Sequence, residues 1–238
     1  MKQKFTLIKL AIVAFLSAFS LLAAAQSQTP TAASPFYTPS DATSAPPNAA
    51  TDVGKVLCFG GTVTLKGNDA VVANNTYQWF KVNTSGQKVL VKEAIGDNTY
   101  QENTQGAGYY TYHLVVSNAD GCSSPESSPL KVYVLPQLNA TIAATKDRVC
   151  SGAQTTSDLS IQGLDSRFEY TYQWTRDGQN ITNNGTSSTY TVAEQNQGTV
   201  NYAVKIAYKL NPDCTQTTAP KAITVVLVPG APTINFGN

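Results

Sequence analysis

The chain has 238 residues with 16 basic and 15 acidic side chains, a formal charge of +1, one histidine and four cysteines. Near-neutral charge with no basic block excludes nucleic acid as a partner, since phosphate binding needs clustered lysine and arginine. Four cysteines with none left over fit a disulfide framework better than a metal site, because no Cys-x-x-Cys occurs.

Residues 1–25 read as a secretory signal peptide. Lys2, Lys4 and Lys9 form a basic n-region, Leu10 to Leu22 an apolar run, and Ala23-Ala24-Ala25 a cleavage site before Gln26. The run is short for a bilayer span, which takes about 20 residues. A signal anchor is the competing reading. No later segment is apolar enough for a membrane helix, so no span is expected after cleavage. Loss of the three lysines would leave 13 basic against 15 acidic side chains, or −2. Export and paired cysteines together predict an oxidising destination, either secreted or at the cell surface.

Residues 26–52 differ in character. Pro30, Pro35, Pro39, Pro46 and Pro47 are spaced through Ser, Thr and Ala. Such a segment buries too little apolar surface to offset ordering entropy, and it reads as a disordered tether.

Strand signals then recur between turns. In residues 53–136 they are Thr62 to Leu65, Thr76 to Val82, Val89 to Val91, Tyr109 to Ser117 and Leu130 to Leu135. In residues 137–229 they are Leu159 to Ile161, Glu169 to Thr175, Val200 to Tyr208 and Ala222 to Val228. No helical period survives past the signal peptide. The two stretches are copies of each other: Cys58, Trp79 and Cys122 are followed by Cys150, Trp174 and Cys214, both cysteine pairs spaced by 64 residues. Each tryptophan sits in a Tyr-Gln-Trp tripeptide. Residues 230–238 read as a tail, although Val228 to Thr233 also resembles a linker into a further module.

Alternation assigns faces. Tyr110, Tyr112, Leu114 and Val116 share one face, and Tyr202, Val204 and Ile206 share the corresponding one. The expected core therefore comprises Leu65, Trp79, Tyr112 and Leu114 in the first copy and Ile161, Trp174, Tyr202 and Val204 in the second. Phe168, Tyr170 and Tyr172 share parity with Trp174 and are expected mostly inside. His113 falls on the opposite face, as a solvated strand residue.

A buried tryptophan on strand C and a tyrosine near the start of strand F resemble the immunoglobulin-like sandwich. Trp79 and Trp174 match the first, Tyr112 and Tyr202 the second. The cysteines lie outside the usual positions, which Leu65, Leu114, Ile161 and Val204 occupy. The displaced frame is similar to the Ig-like repeats of secreted surface proteins of Bacteroidota. Its carriers are Cys58-Phe59-Gly60, Tyr77-Gln78-Trp79, Gly108 to Tyr112 and Gly121-Cys122-Ser123-Ser124. The resemblance implies an all-β fold of two tandem immunoglobulin-like sandwiches, used in that family as spacers, adhesive units or domains beside enzymes.

Four cysteines allow three connectivities, and equal spacing favours Cys58–Cys122 and Cys150–Cys214. A simple sandwich places the partners of each pair at opposite ends, so this pairing needs a displaced first strand or a long excursion after strand F. On that pairing, Cys122→Ser is expected to lower the melting temperature.

No Gly-x-Ser-x-Gly, phosphate loop or partnered histidine points to catalysis, so the chain reads as non-enzymatic and without cofactor or metal. Phe80 and Tyr109 remain for the outer face as possible ligand contacts. The expected role is an interaction or structural module, in adhesion or assembly, with an unknown surface protein as partner. The alternative is a glycan-binding accessory protein.

Overall fold

The computed structural model describes residues 38–67, 70–152 and 155–236. The expected signal peptide (1–25), tether residues 26–37 and the last two residues of the tail lie outside the described residues.

The fold is all-β, two immunoglobulin-like sandwiches in tandem. Strands β1 (Lys55–Leu57), β3 (Thr76–Val82), β4 (Lys88–Ile95), β6 (Gly108–Ser117) and β7 (Leu130–Val134) form one five-stranded sheet in the order β1-β7-β6-β3-β4. Strands β2 (Thr62–Lys66) and β5 (Thr99–Asn103) form a second, two-stranded sheet. The second copy repeats this plan. Strands β9 (Arg148–Cys150), β11 (Tyr170–Arg176), β12 (Gln179–Asn180), β14 (Gly198–Tyr208) and β16 (Lys221–Val226) make its larger sheet, with β15 (Thr215–Thr217) on β14. Strands β8 (Thr141–Ala144), β10 (Ser157–Gln162) and β13 (Thr189–Val192) make the facing one. In both copies the short first strand of the larger sheet runs parallel to the last, β1 beside β7 and β9 beside β16.

Alternating side chains build each core. Strand β3 buries Tyr77, Trp79 and Lys81, and β14 buries Val200, Tyr202, Val204, Ile206 and Tyr208. Trp79, Leu65 and Tyr112 are buried in the first core, with Leu114 half-buried against it. Trp174, Tyr202 and Val204 are buried in the second, with Ile161 half-buried against it. Each fully buried large apolar side chain contributes roughly 1.5–3 kcal/mol.

The favoured disulfide pairing is corrected by the fold. Cys58 bonds to Cys214, joining the two copies across 156 residues, while Cys122 and Cys150 are free thiols. Strand β6 explains this. Leu57 and Val134 lie beside its Gly108 end, whereas the Cys122 turn closes beyond its Ser117 end. Ten residues of strand separate those ends by roughly 30 Å, and a disulfide needs Cα atoms within about 7 Å. Strand β14 separates Cys150 from Cys214 in the same way, since Val225 pairs with Gly198 while Thr215 pairs with Ala207.

Residues 38–52, expected in the disordered tether, lie against the first sandwich. The Ser40 and Asp41 amides donate to the Tyr109 carbonyl at 2.7 and 3.2 Å, and Tyr109 N returns a bond to Asp41 O at 2.7 Å. This approach needs Gly108: a Cβ there would sit 2.4 Å from Asp41 O, and its φ of +132° already disfavours other residues. The tether reading judged the segment by composition alone and missed its β-bridge to Tyr109.

Candidate functional site

The two outer-face candidates have different environments. Phe80 is half-buried on β3, opposite His113 of β6 and beside a bulge between Trp79 and Phe80. Tyr109 is on the same strand as His113, roughly 14 Å along it by strand rise. Its ring packs against Tyr133 at 4.8 Å between centroids, and its hydroxyl donates to Ala45 O at 2.9 Å. The two are therefore not brought together. His113 departs from the solvated residue expected of it: its side chain is 11% exposed, with Nδ1 2.9 Å from Glu126 Oε1.

The most developed site is the joint between the sandwiches. Val56, Tyr133 and Leu135 of the first copy pack with Phe168, Tyr208 and Cys214 of the second. The rings of Tyr133 and Phe168 lie 6.4 Å apart, those of Phe168 and Tyr208 5.3 Å, and those of Tyr170 and Tyr208 5.1 Å. Tyr208 donates its hydroxyl to Pro136 O and Asn211 Nδ2 donates to Val56 O, each at 2.9 Å. The disulfide closes the same contact. Thus the stripe from Phe168 to Trp174 divides: Phe168 serves the joint, Tyr170 touches both the joint and the second core, and Tyr172 packs with Trp174 in that core. Corresponding positions in the first copy are Ala73 and Asn75, by the 95-residue offset between the tryptophans. That divergence was the available sign that this aromatic pair has a role of its own.

A second constellation, unforeseen from sequence, lies inside the first sandwich. Glu102 and Lys81 are 4% and 2% exposed, with Lys81 Nζ 2.8 Å from Glu102 Oε1. Glu102 also accepts from the hydroxyls of Tyr112 and Tyr100. Lys81 lies 4.6 Å from the centre of the Tyr110 ring. The second copy repeats the arrangement nearer to water: Arg176 Nε donates to Glu194 Oε1 at 2.8 Å, and Tyr202 donates to the same oxygen. Parity held the clue, because Lys81 shares the inward face of Tyr77 and Trp79. These groups are saturated by one another and organise the core.

Burial pulls the Lys81 ammonium below the usual lysine range, opposed by the charge of Glu102. Burial pushes the hydroxyls of Tyr110, Tyr112, Tyr202 and Tyr208 well above the ordinary tyrosine value of about 10. For these tyrosines the folded state keeps protons that the unfolded chain would lose. Their contribution is complete below about pH 10 and is lost as pH rises through the folded values. Lys81 acts in the opposite sense but is a single group. Titration should therefore show tyrosinate absorbance rising together with loss of near-ultraviolet dichroism above about pH 10. Ionisation of all tyrosines near pH 10 in a chain that stays folded would contradict this.

Residues 46–136 match the family model described as Ig-like domain, CHU_C associated. No curated protein matches the chain. Among solved structures, the chain is 15% identical to fibronectin(III)-like modules of CbhA from Clostridium thermocellum, with 74% of this chain and 90% of that one covered and a TM-score of 0.40. It is 14% identical to the amphioxus IgVJ-C2 molecule, covering 71% and 99% at a TM-score of 0.36. It is 13% identical to the N-terminal four Ig domains of Dscam1 isoform 8.4, covering 73% and 43% at a TM-score of 0.33.

Among the described residues no helix is long and apolar enough to cross a membrane. No group of three or more His, Cys, Asp or Glu among them is placed to hold a metal ion.

Proposed function

We propose that the chain is an exported, non-enzymatic interaction or structural unit, at the cell surface or outside the cell, built from sandwiches at residues 53–136 and 137–229. The observation that carries this reading is the joint. A covalent bond, an aromatic stack and two hydrogen bonds fix one sandwich on the other, which suits a spacer or a subunit of an assembly. The domain match over residues 46–136 supports an interaction role of this kind. The most organised polar cluster, around Glu102, is enclosed in the core, where a substrate has no access.

A polysaccharide array probed with residues 26–238 separates this reading from a glycan-binding one. Silence across the array is the expected result. Saturable binding to one glycan class, abolished by Phe80→Ala, would replace the proposed role with glycan recognition.

A further inference from the structure

The two free cysteines are the unused halves of the joint that Cys58 and Cys214 complete. Cys58 and Cys150 each open a Cys-x-Gly turn whose glycine has positive φ, +71° at Gly60 and +72° at Gly152. Cys122 and Cys214 each close an asparagine-led turn after the long strand. Asn118 Oδ1 accepts from Cys122 N at 2.8 Å, and Asn211 O accepts from Cys214 N at 3.0 Å.

The joint uses the Cys-x-Gly end of the first sandwich and the post-strand turn of the second. The complementary ends, carrying Cys122 and Cys150, are the ones remote from the joint. Each is a full long strand away, β6 on one side and β14 on the other. At roughly 30 Å per strand, Cys122 and Cys150 of one chain are far beyond disulfide reach of each other. Both remain accessible to another molecule, since Cys122 is exposed and Cys150 is partly so.

The Cys150 end also displays apolar surface that is covered in the joint. Leu135, which follows β7, is fully buried, while Val226 and Leu227, at the end of β16 beside Cys150, are 42% and 63% exposed.

We propose that two copies of this chain join end to end through a disulfide between Cys150 of one and Cys122 of the other, repeating the Cys58–Cys214 contact. Because the surfaces differ, the contact is heterologous, and repetition gives linear chains of uniform polarity. The Cys122 end has Ala73 and Asn75 where the joint has Phe168 and Tyr170, so contact without the covalent bond is weak and oxidation controls assembly. Each bond removes two thiol protons and two electrons. A disulfide oxidant accepts them, one oxidised glutathione becoming two glutathione molecules per bond formed.

The test uses the full mature chain with oxidised glutathione, read by non-reducing electrophoresis and peptide mapping. The proposal expects monomer under reduction and a ladder of oligomers on oxidation, linked Cys122 to Cys150. In an equal mixture of Cys122→Ser and Cys150→Ser chains, the heterodimer should dominate well beyond the half expected from random pairing. A chain that stays monomeric, carrying glutathione on both thiols, would overturn the proposal. So would random or homodimeric pairing in the mixture. Cys122 is exposed in a turn, so its serine variant keeps the fold, and the heterodimer fraction reads pairing preference independently of yield.

Discussion

Replacing Cys214 with serine should split the thermal unfolding of the chain into separable transitions and lower the apparent stability of the joined unit. The Cys58–Cys214 bond closes a loop of 156 residues, worth about 5 kcal/mol in the chain-entropy model. That is a large share of the 5–15 kcal/mol typical of a domain. The apolar joint remains in the variant, but its contacts no longer benefit from permanent proximity. Cys58→Ser should behave identically, since either change removes the same bond. Cys122→Ser should melt as the parent does, because that thiol is exposed and unbonded. Calorimetry on the three variants checks this. A clear loss for Cys122→Ser, as large as that for Cys58→Ser, would restore pairing within each copy.

The second large effect is expected at Glu102. Glu102→Ala leaves the Lys81 ammonium and two tyrosine hydroxyls buried without their common acceptor. Breaking a buried ion pair by removing one partner costs about 3–5 kcal/mol. The matched change Glu194→Ala exposes the role of burial, because the Arg176 side chain is 45% exposed and keeps its hydration. Its expected cost is about 1–2 kcal/mol, mostly the bond from Tyr202. Denaturant titration of the two variants should rank Glu102→Ala well below Glu194→Ala. Equal losses would mean that the low-dielectric setting of the first site adds nothing.

The architecture was largely legible because it is written in local signals. Alternation located the core strands, and the paired Tyr-Gln-Trp tripeptides exposed the repeat. The short strands β1, β5, β8, β9, β12, β13 and β15 escaped notice because two to five residues carry little periodicity, and β5 hides an inward glutamate. The disulfide was misread because equal spacing says nothing about which ends of a sandwich the two cysteines occupy. Topology decides that, through the length of β6 and β14. The joint was hidden for a related reason. Phe168 and Tyr170 continue the parity of Trp174, so a one-dimensional reading assigns all three to a single core. Only the end of β14, where Tyr208 and Asn211 meet Pro136 and Val56, shows that part of the stripe belongs to a neighbour. The contact that Ser40 and Asp41 make with Tyr109 was out of view because it joins residues far apart in the chain and rests on the close approach of Asp41 to Gly108.

The measurement that bears most directly on the account is disulfide mapping of the folded monomer after its free thiols are blocked. The predicted result is an intact mass two hydrogens below the fully reduced value before blocking and two blocking groups heavier after it, a linked peptide pair containing Cys58 and Cys214, and blocked Cys122 and Cys150. Linked pairs of Cys58 with Cys122 and of Cys150 with Cys214 would contradict the joint, and with it the end-to-end assembly that repeats its design.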